Sequence, residues 1–86
     1  MNNAHEPSHA LHYFRKSSRA LSGVKWFELV LQKSLFGDTD LISRSGSIGK
    51  GRVKEKVESF ADYSSVWKRI EKIRAKRLSE GYIQVC

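Results

Sequence analysis

The chain has 86 residues, 40% of them hydrophobic and 29% charged, which is the composition of one small globular domain and excludes a second. Sixteen Lys and Arg against nine Asp and Glu give a net charge of +7, so polyanions, and nucleic acid first among them, are the partners to consider. Membrane insertion is excluded, because the longest apolar run, residues 26–31, is far shorter than a membrane span and contains Glu28.

The amino-terminal segment, residues 1–22, differs from the rest of the chain. It holds all three histidines and the only proline, and it closes with Ser22-Gly23 just before a dense apolar run. We therefore predict a boundary here, with residues 1–22 forming either a disordered arm or a short helix from Pro7 to about Arg19. Its polar composition is not that of a secretion signal, so we expect a cytoplasmic location.

An alternating stretch that begins at Lys25 predicts the first strand of the domain, residues 23–86. Phe27, Leu29 and Leu31 fall on one side of this strand, while Trp26 lies on the other and is also assigned to the core. A Gly-Asp pair at 37–38 then leads to a second strand that ends at residue 46, so the two strands form a hairpin with an extended loop.

A glycine-rich turn, residues 46–51, precedes a third strand from Arg52 to Phe60. Three glycines in six residues require a sharp turn or a close approach of the backbone to another group. In strict alternation Phe60 falls on the same side as the lysines, although it has the character of a core residue. We therefore expect a β-bulge near Glu58-Ser59 that returns Phe60 to the core side.

A long helix is predicted over residues 62–79. Asp62 is its N-cap, and Gly81 follows its last turn. Apolar side chains at three- and four-residue spacing form its buried stripe, namely Tyr63, Val66, Trp67, Ile70 and Ile73. Residues 82–85 then return as a short edge strand.

These elements predict an α+β fold, an antiparallel β-sheet of three to four strands with one long packed helix. The helix stripe and the first strand are the two large apolar surfaces of the chain. Trp67 and Ile70 are therefore expected to pack against Phe27, Leu29 and Leu31.

Two groups of cations are candidates for binding a polyanion. The first surrounds the glycine turn and consists of Arg44, Lys50, Arg52, Lys54 and Lys56. Its turn presents backbone N–H groups that join lysines in holding phosphates, so these five are the predicted nucleic-acid-binding residues, with a solvated strand edge as the alternative. The second group comprises Lys68, Arg69, Lys72, Lys76, Arg74 and Arg77 of the helix. We attribute it to compensation of the helix dipole.

No enzymatic, metal or cofactor chemistry is predicted. The glycine segment lacks the Gly-Lys-Ser/Thr ending of a nucleotide loop, and no order of nucleophile and base indicates catalysis. His5, His9 and His12 share one helical spacing, but a solvated arm is the favoured interpretation. A lone Cys86 indicates neither a disulfide nor a redox site.

Four ordered segments carry a family resemblance. They are Lys25 to Leu29, Ile42 to Gly51, Glu58 to Asp62 and Lys76 to Tyr82. Together they resemble the WGR domain, which is named for a Trp-Gly-Arg triplet followed by Ile or Val and Gly. In that family a turn, a strand ending in Ser-Phe, a helix and a Lys-rich end closing in Gly-Tyr come next. The resemblance implies the α+β fold, no catalytic activity, and a small stand-alone protein of the kind found in bacteria.

The departures from this signature bear on function. Ser45 stands where the family has Trp and Ser47 where it has Arg, while Gly46, Ile48 and Gly49 match. In the DNA-dependent poly(ADP-ribose) polymerases the domain grips a DNA end with that Trp and Arg. Two serines cannot stack on a sugar or pair with phosphate in that way, so recognition of DNA ends is not expected.

The predicted function is therefore non-catalytic binding of nucleic acid, DNA rather than RNA, through phosphate contacts on the glycine-turn surface. The alternative is a protein-interaction or adaptor module in which the positive charge is incidental. Loss of the signature Trp and Arg favours this alternative.

Overall fold

A computed structural model of the protein describes residues 11–18, 23–49 and 51–85. These residues form one helix and five strands, namely β1 (His12–Ser18), β2 (Gly23–Lys33), β3 (Thr39–Ser47), β4 (Val53–Phe60), α1 (Tyr63–Ser79) and β5 (Ile83–Gln84). All neighbouring strands are antiparallel, in the order β4-β3-β2-β1-β5. The α+β arrangement of an antiparallel sheet with one packed helix is confirmed, with five strands rather than three to four.

The additional strand is β1, which lies between β2 and β5. Residues 12–18 are therefore neither a helix nor a disordered arm, and those two predictions are wrong for this stretch. A strand fits because Phe14 and Tyr13 point to opposite faces of the sheet, where both are buried. Pro7 and Arg19, the limits of the predicted helix, lie outside the described residues.

The core lies between α1 and one face of the sheet. Val66 and Ile70 of the helix pack onto a patch of fully buried strand residues, namely Phe14, Phe27, Leu29 and Leu41. The predicted contact of Ile70 with Phe27 and Leu29 is confirmed, and Leu31 packs against the same cluster while partly buried. Trp67 is 41% exposed, so its predicted place in the core is wrong.

Capping residues determine where α1 begins and ends. The Asp62 side chain accepts a hydrogen bond from the Ser65 backbone N–H at 2.8 Å, and bonds of this kind lower the pKa of Asp62. At the other end Gly81 has φ +97°, and the Tyr82 backbone N–H donates to the Arg77 carbonyl at 3.1 Å. This left-handed termination turns the chain directly into β5.

β4 runs beside β3 without interruption, so the predicted bulge is wrong. Residues pair one for one from Thr39 opposite Phe60 to Gly46 opposite Val53. Phe60 lies on the same side as the lysines because that side of β4 faces the helix. The alternate residues Val53 and Val57 face the other way and are half exposed.

Position 46 has no room for a side chain, so it requires a glycine. A Cβ at this position would lie 3.0 Å from the Arg52 carbonyl oxygen and 3.1 Å from a ring carbon of Trp26. Trp26 is 3% exposed, as predicted, with its ring over this glycine on the face away from the helix.

Candidate functional site

A groove of about 300 Å³ runs between α1 and the outer strands β3 and β4, and we call it the inner groove. Its lining residues are Phe27, Ser43, Ser45, Lys54, Glu55, Lys56, Arg69, Lys72, Ile73, Lys76 and Arg77. Six of these eleven residues are cations and one is an acid. The helix contacts both β3 and β4, and side chains from these two strands and from α1 enclose the groove.

Two periodicities bring the cations together. Lys54 and Lys56 are alternate residues of β4, so both side chains are on the helix side of the sheet. Lys72 and Lys76 are one helical turn apart and occupy the side of α1 that faces β4. The register of a strand and the turn of a helix thereby place cations on both walls of one groove.

Glu58 anchors one end of this arrangement. Its carboxylate accepts two hydrogen bonds from Arg69, Nε to Oε2 at 3.0 Å and Nη2 to Oε1 at 3.1 Å, and lies 3.1 Å from Lys56 Nζ. The bidentate pair with Arg69 is the main cause that lowers the pKa of Glu58, and it raises the pKa of Arg69. The pair links β4 to the helix between residues 11 positions apart in the sequence.

This pKa shift predicts a pH dependence of stability. The Glu58 pKa in the folded chain lies below its unfolded value of about 4.3, so its contribution is complete above that pH and is lost as the pH falls through the folded value. Glu58→Gln should therefore lower stability at neutral pH and make the loss between about pH 5 and pH 3 shallower than in the wild type. Urea unfolding across this range measures both effects.

Glu71→Gln is the matched control, because the Glu71 side chain is 64% exposed and its ion pair among the described residues is with Arg74 alone, at 3.4 Å. It should leave the acid limb unchanged. An equal slope in wild type and Glu58→Gln would show that the Glu58 pair does not stabilise the fold.

Three cations of the inner groove remain available to a ligand. Lys54, Lys72 and Lys76 make no ion pair with any residue that the structure describes. Glu55, the single acid among the lining residues, directs its side chain to the opposite face of the sheet, where Oε2 accepts a hydrogen bond from Arg44 Nε at 2.6 Å. The groove therefore carries uncompensated positive charge, which favours an anionic ligand.

Arg77 separates the inner groove from a second hollow. Its guanidinium carbon stacks 4.0 Å from the centre of the Phe27 ring and lies 5.5 Å from that of Tyr82. The second hollow, which we call the end hollow, has a volume of about 920 Å³. It is lined by Lys25, Ser45, Gly46, Ser47, Gly51, Arg52, Val53, Lys54, Arg77 and Tyr82. The two sites share Ser45, Lys54 and Arg77, so they form one continuous basic surface.

The five residues predicted from the sequence lie in three places. Lys54 and Lys56 line the inner groove, and Arg52 lines the end hollow with Lys54. Arg44 points to the opposite face of the sheet, where Glu55 neutralises it. Lys50 lies outside the described residues.

Sequence reasoning missed the helix wall of the groove. The sequence pattern attributes Arg69, Lys72, Lys76 and Arg77 to dipole compensation, yet all four line the inner groove. Their spacing of three and four residues places the first three on one helical side, a signal that becomes useful only when the strand opposite them is known.

Comparison of the chain with protein-family models, curated proteins and solved structures gave no match. In the part of the chain that the structure describes, no group of His, Cys, Asp and Glu has the arrangement of a metal site. No helix in that same part has the length and apolar character needed to cross a membrane.

Proposed function

We propose that this protein binds nucleic acid without catalysis, through phosphate contacts in the inner groove and the end hollow. The observation that carries the proposal is the convergence of unpaired lysines from β4 and α1 on one surface, with a single, already neutralised acid among the lining residues of the inner groove. Lysines in this arrangement hold successive phosphates and release counterions from them. The contacts read no base edge, so binding is independent of sequence.

The proposal includes a preference for DNA over RNA and a cytoplasmic location. It also includes the resemblance to the WGR domain. Ser45 supports a link between that resemblance and the site, since the residue in the signature tryptophan position borders both the inner groove and the end hollow. A hydroxyl there donates one ordinary hydrogen bond to a phosphate where a tryptophan would stack.

Titration of labelled duplex DNA, single-stranded DNA and RNA at several salt concentrations tests the function. Between about 50 and 200 mM salt, log K should fall linearly with log salt, with a slope near −0.9 for each phosphate contacted in the duplex. Binding that is absent, or that does not change with salt, would contradict the proposal.

Discrimination between DNA ends and internal sites is a separate prediction. Ser45 and Ser47 supply neither an aromatic ring nor a guanidinium, so a closed circular duplex and a linear duplex of one sequence should bind equally per base pair. Competition between the two forms measures this. A tenfold preference for ends, about 1.4 kcal/mol, would show that another group has taken over end recognition.

A protein-interaction module is the second candidate function. The outer side of α1 supports it, because Tyr63, Trp67 and Leu78 are 54%, 41% and 40% exposed. Large apolar side chains on a helix surface are commonly contact residues in protein interfaces. Trp67→Ala would leave nucleic-acid affinity unchanged if the first proposal holds, since Trp67 lines neither of the two basic hollows.

A further inference from the structure

The outer edge of β4 is a second surface of the molecule, and it has the features of an edge that pairs with another strand. β4 is an outermost strand of eight residues, and no strand in the described part of the chain pairs with its free edge. Six of its residues are exposed, the exceptions being Glu58 and Phe60. A free edge of this length presents backbone N–H and C=O groups that template another strand.

An apolar strip leads to this edge on the face away from the helix. Ile42 of β3 is 7% exposed, and its neighbour across the ladder, Val57, is 52% exposed. Val53 on the same face is 51% exposed. The strip therefore ends at the edge with valine surface that a strand continuing the sheet would cover.

The charges of β4 indicate which strand pairs with this edge. A two-fold axis perpendicular to the sheet reverses the direction of a strand but leaves each side chain on the same face of the sheet. Residues that pair directly also share a face, so one residue of β4 must lie at the axis, opposite its own copy. Between residues 54 and 58 every residue is charged except Val57. Only with Val57 on the axis, among these five positions, does the central pair avoid a like-charge repulsion.

The same register places compatible residues next to the axis, while farther out Lys54 lies opposite Phe60 of the second copy. Lys56 then lies opposite Glu58 of the partner copy on both sides of the axis, and Glu55 lies opposite the partner's Ser59. Lysines commonly protect an edge strand from pairing, but here Lys56 of each copy lies opposite Glu58 of the other, a glutamate that also contacts Lys56 and Arg69 of its own chain. We propose that this chain forms a symmetric dimer by antiparallel pairing of β4 with β4 of a second copy, centred on Val57.

The pairing closes at two copies. It joins two five-stranded sheets into one, with both helices on the same side, and leaves β5 at each outer end. β5 has two residues and covers only Phe14 and Arg15 of β1, so this outer edge is less regular than the edge of β4. The pairing uses the free backbone edge of β4, a strand that also supplies Lys54 and Lys56 to the inner groove, and it is tested without nucleic acid.

Cysteine cross-linking tests the register. In a Cys86→Ser background, Val57→Cys places two thiols on residues about 4.5–5.5 Å apart between Cα atoms, which a disulfide spans. Val53→Cys is the matched control, since it has the same exposure, strand and face, but in this register its copies are about 26 Å apart. Copper phenanthroline serves as the oxidant of the two thiols.

We expect Val57→Cys to give a covalent dimer and Val53→Cys to remain monomeric under the same conditions. Analytical ultracentrifugation of the unmodified chain from about 10 µM to 1 mM should show the mass rising from that of one chain to that of two. A single-chain mass throughout this range would overturn the proposal. So would a dimer in which Val53→Cys cross-links as fast as Val57→Cys.

Discussion

Replacing Lys54, Lys72 and Lys76 together by Gln is expected to lower the affinity for a DNA duplex about 100-fold at 0.15 M salt. These lysines come from both walls of the inner groove and have no ion-pair partner among the described residues. Each phosphate contact contributes about 1 kcal/mol at this salt concentration through counterion release, and the slope of log K against log salt should fall by about 2.7. Anisotropy titrations of a labelled duplex measure both quantities.

The control is a chain with the same loss of charge elsewhere. Arg15, Lys33 and Lys68 are exposed cations that line neither hollow, and their joint replacement by Gln removes an equal charge. The control variant should keep most of the affinity and slope. Equal losses in the two triple variants would show that net charge, and not the groove, determines binding.

Ile70→Ala should reduce the free energy of unfolding by about 2–5 kcal/mol, a large share of the stability of a small domain. Ile70 is fully buried and contacts the strand residues of the core, so its truncation leaves a cavity under the helix. Thermal and urea unfolding both measure the loss, and the melting temperature should fall by more than about 10 °C.

Trp67→Ala serves as the comparison for Ile70→Ala. Trp67 is the larger side chain, but it is 41% exposed at the surface of the helix. We expect its truncation to cost less than half as much as that of Ile70. A greater loss for Trp67→Ala than for Ile70→Ala would contradict the packing of the helix described here.

The helix was predictable in extent but not in orientation. Asp62 and Gly81 mark its ends by local hydrogen bonding, which depends on few neighbours. Spacing alone admits both Trp67 and Arg77 beside Ile70. The fold places Arg77 over the Phe27 ring and Trp67 at the surface, because the aliphatic stem of arginine packs as well as an apolar residue while its charge remains at the groove.

β1 and the face of β4 depend on tertiary partners and were not predictable in the same way. The β1 sequence His-Tyr-Phe-Arg-Lys-Ser-Ser has two apolar residues, and only burial on both sides of the sheet makes it a strand. Alternation along β4 puts its valines on the face away from the helix, where they are half exposed, and its lysines on the face that lines the groove. The candidate site arises from this strict alternation, which turns the lysines of β4 toward the cations of the helix.

The position of β1 also sets the order in which the sheet is completed. β5 joins the sheet through β1 alone, with Phe14 opposite Gln84, about 70 positions away along the chain. The hairpins β2-β3 and β3-β4 join near neighbours in sequence, so they pay little loop-closure entropy and form early. The β1-β5 contact has the largest cost in loop-closure entropy, and it stabilises the chain only after β1 has paired with β2. We therefore expect the last step of folding to join residues near the two ends of the described chain.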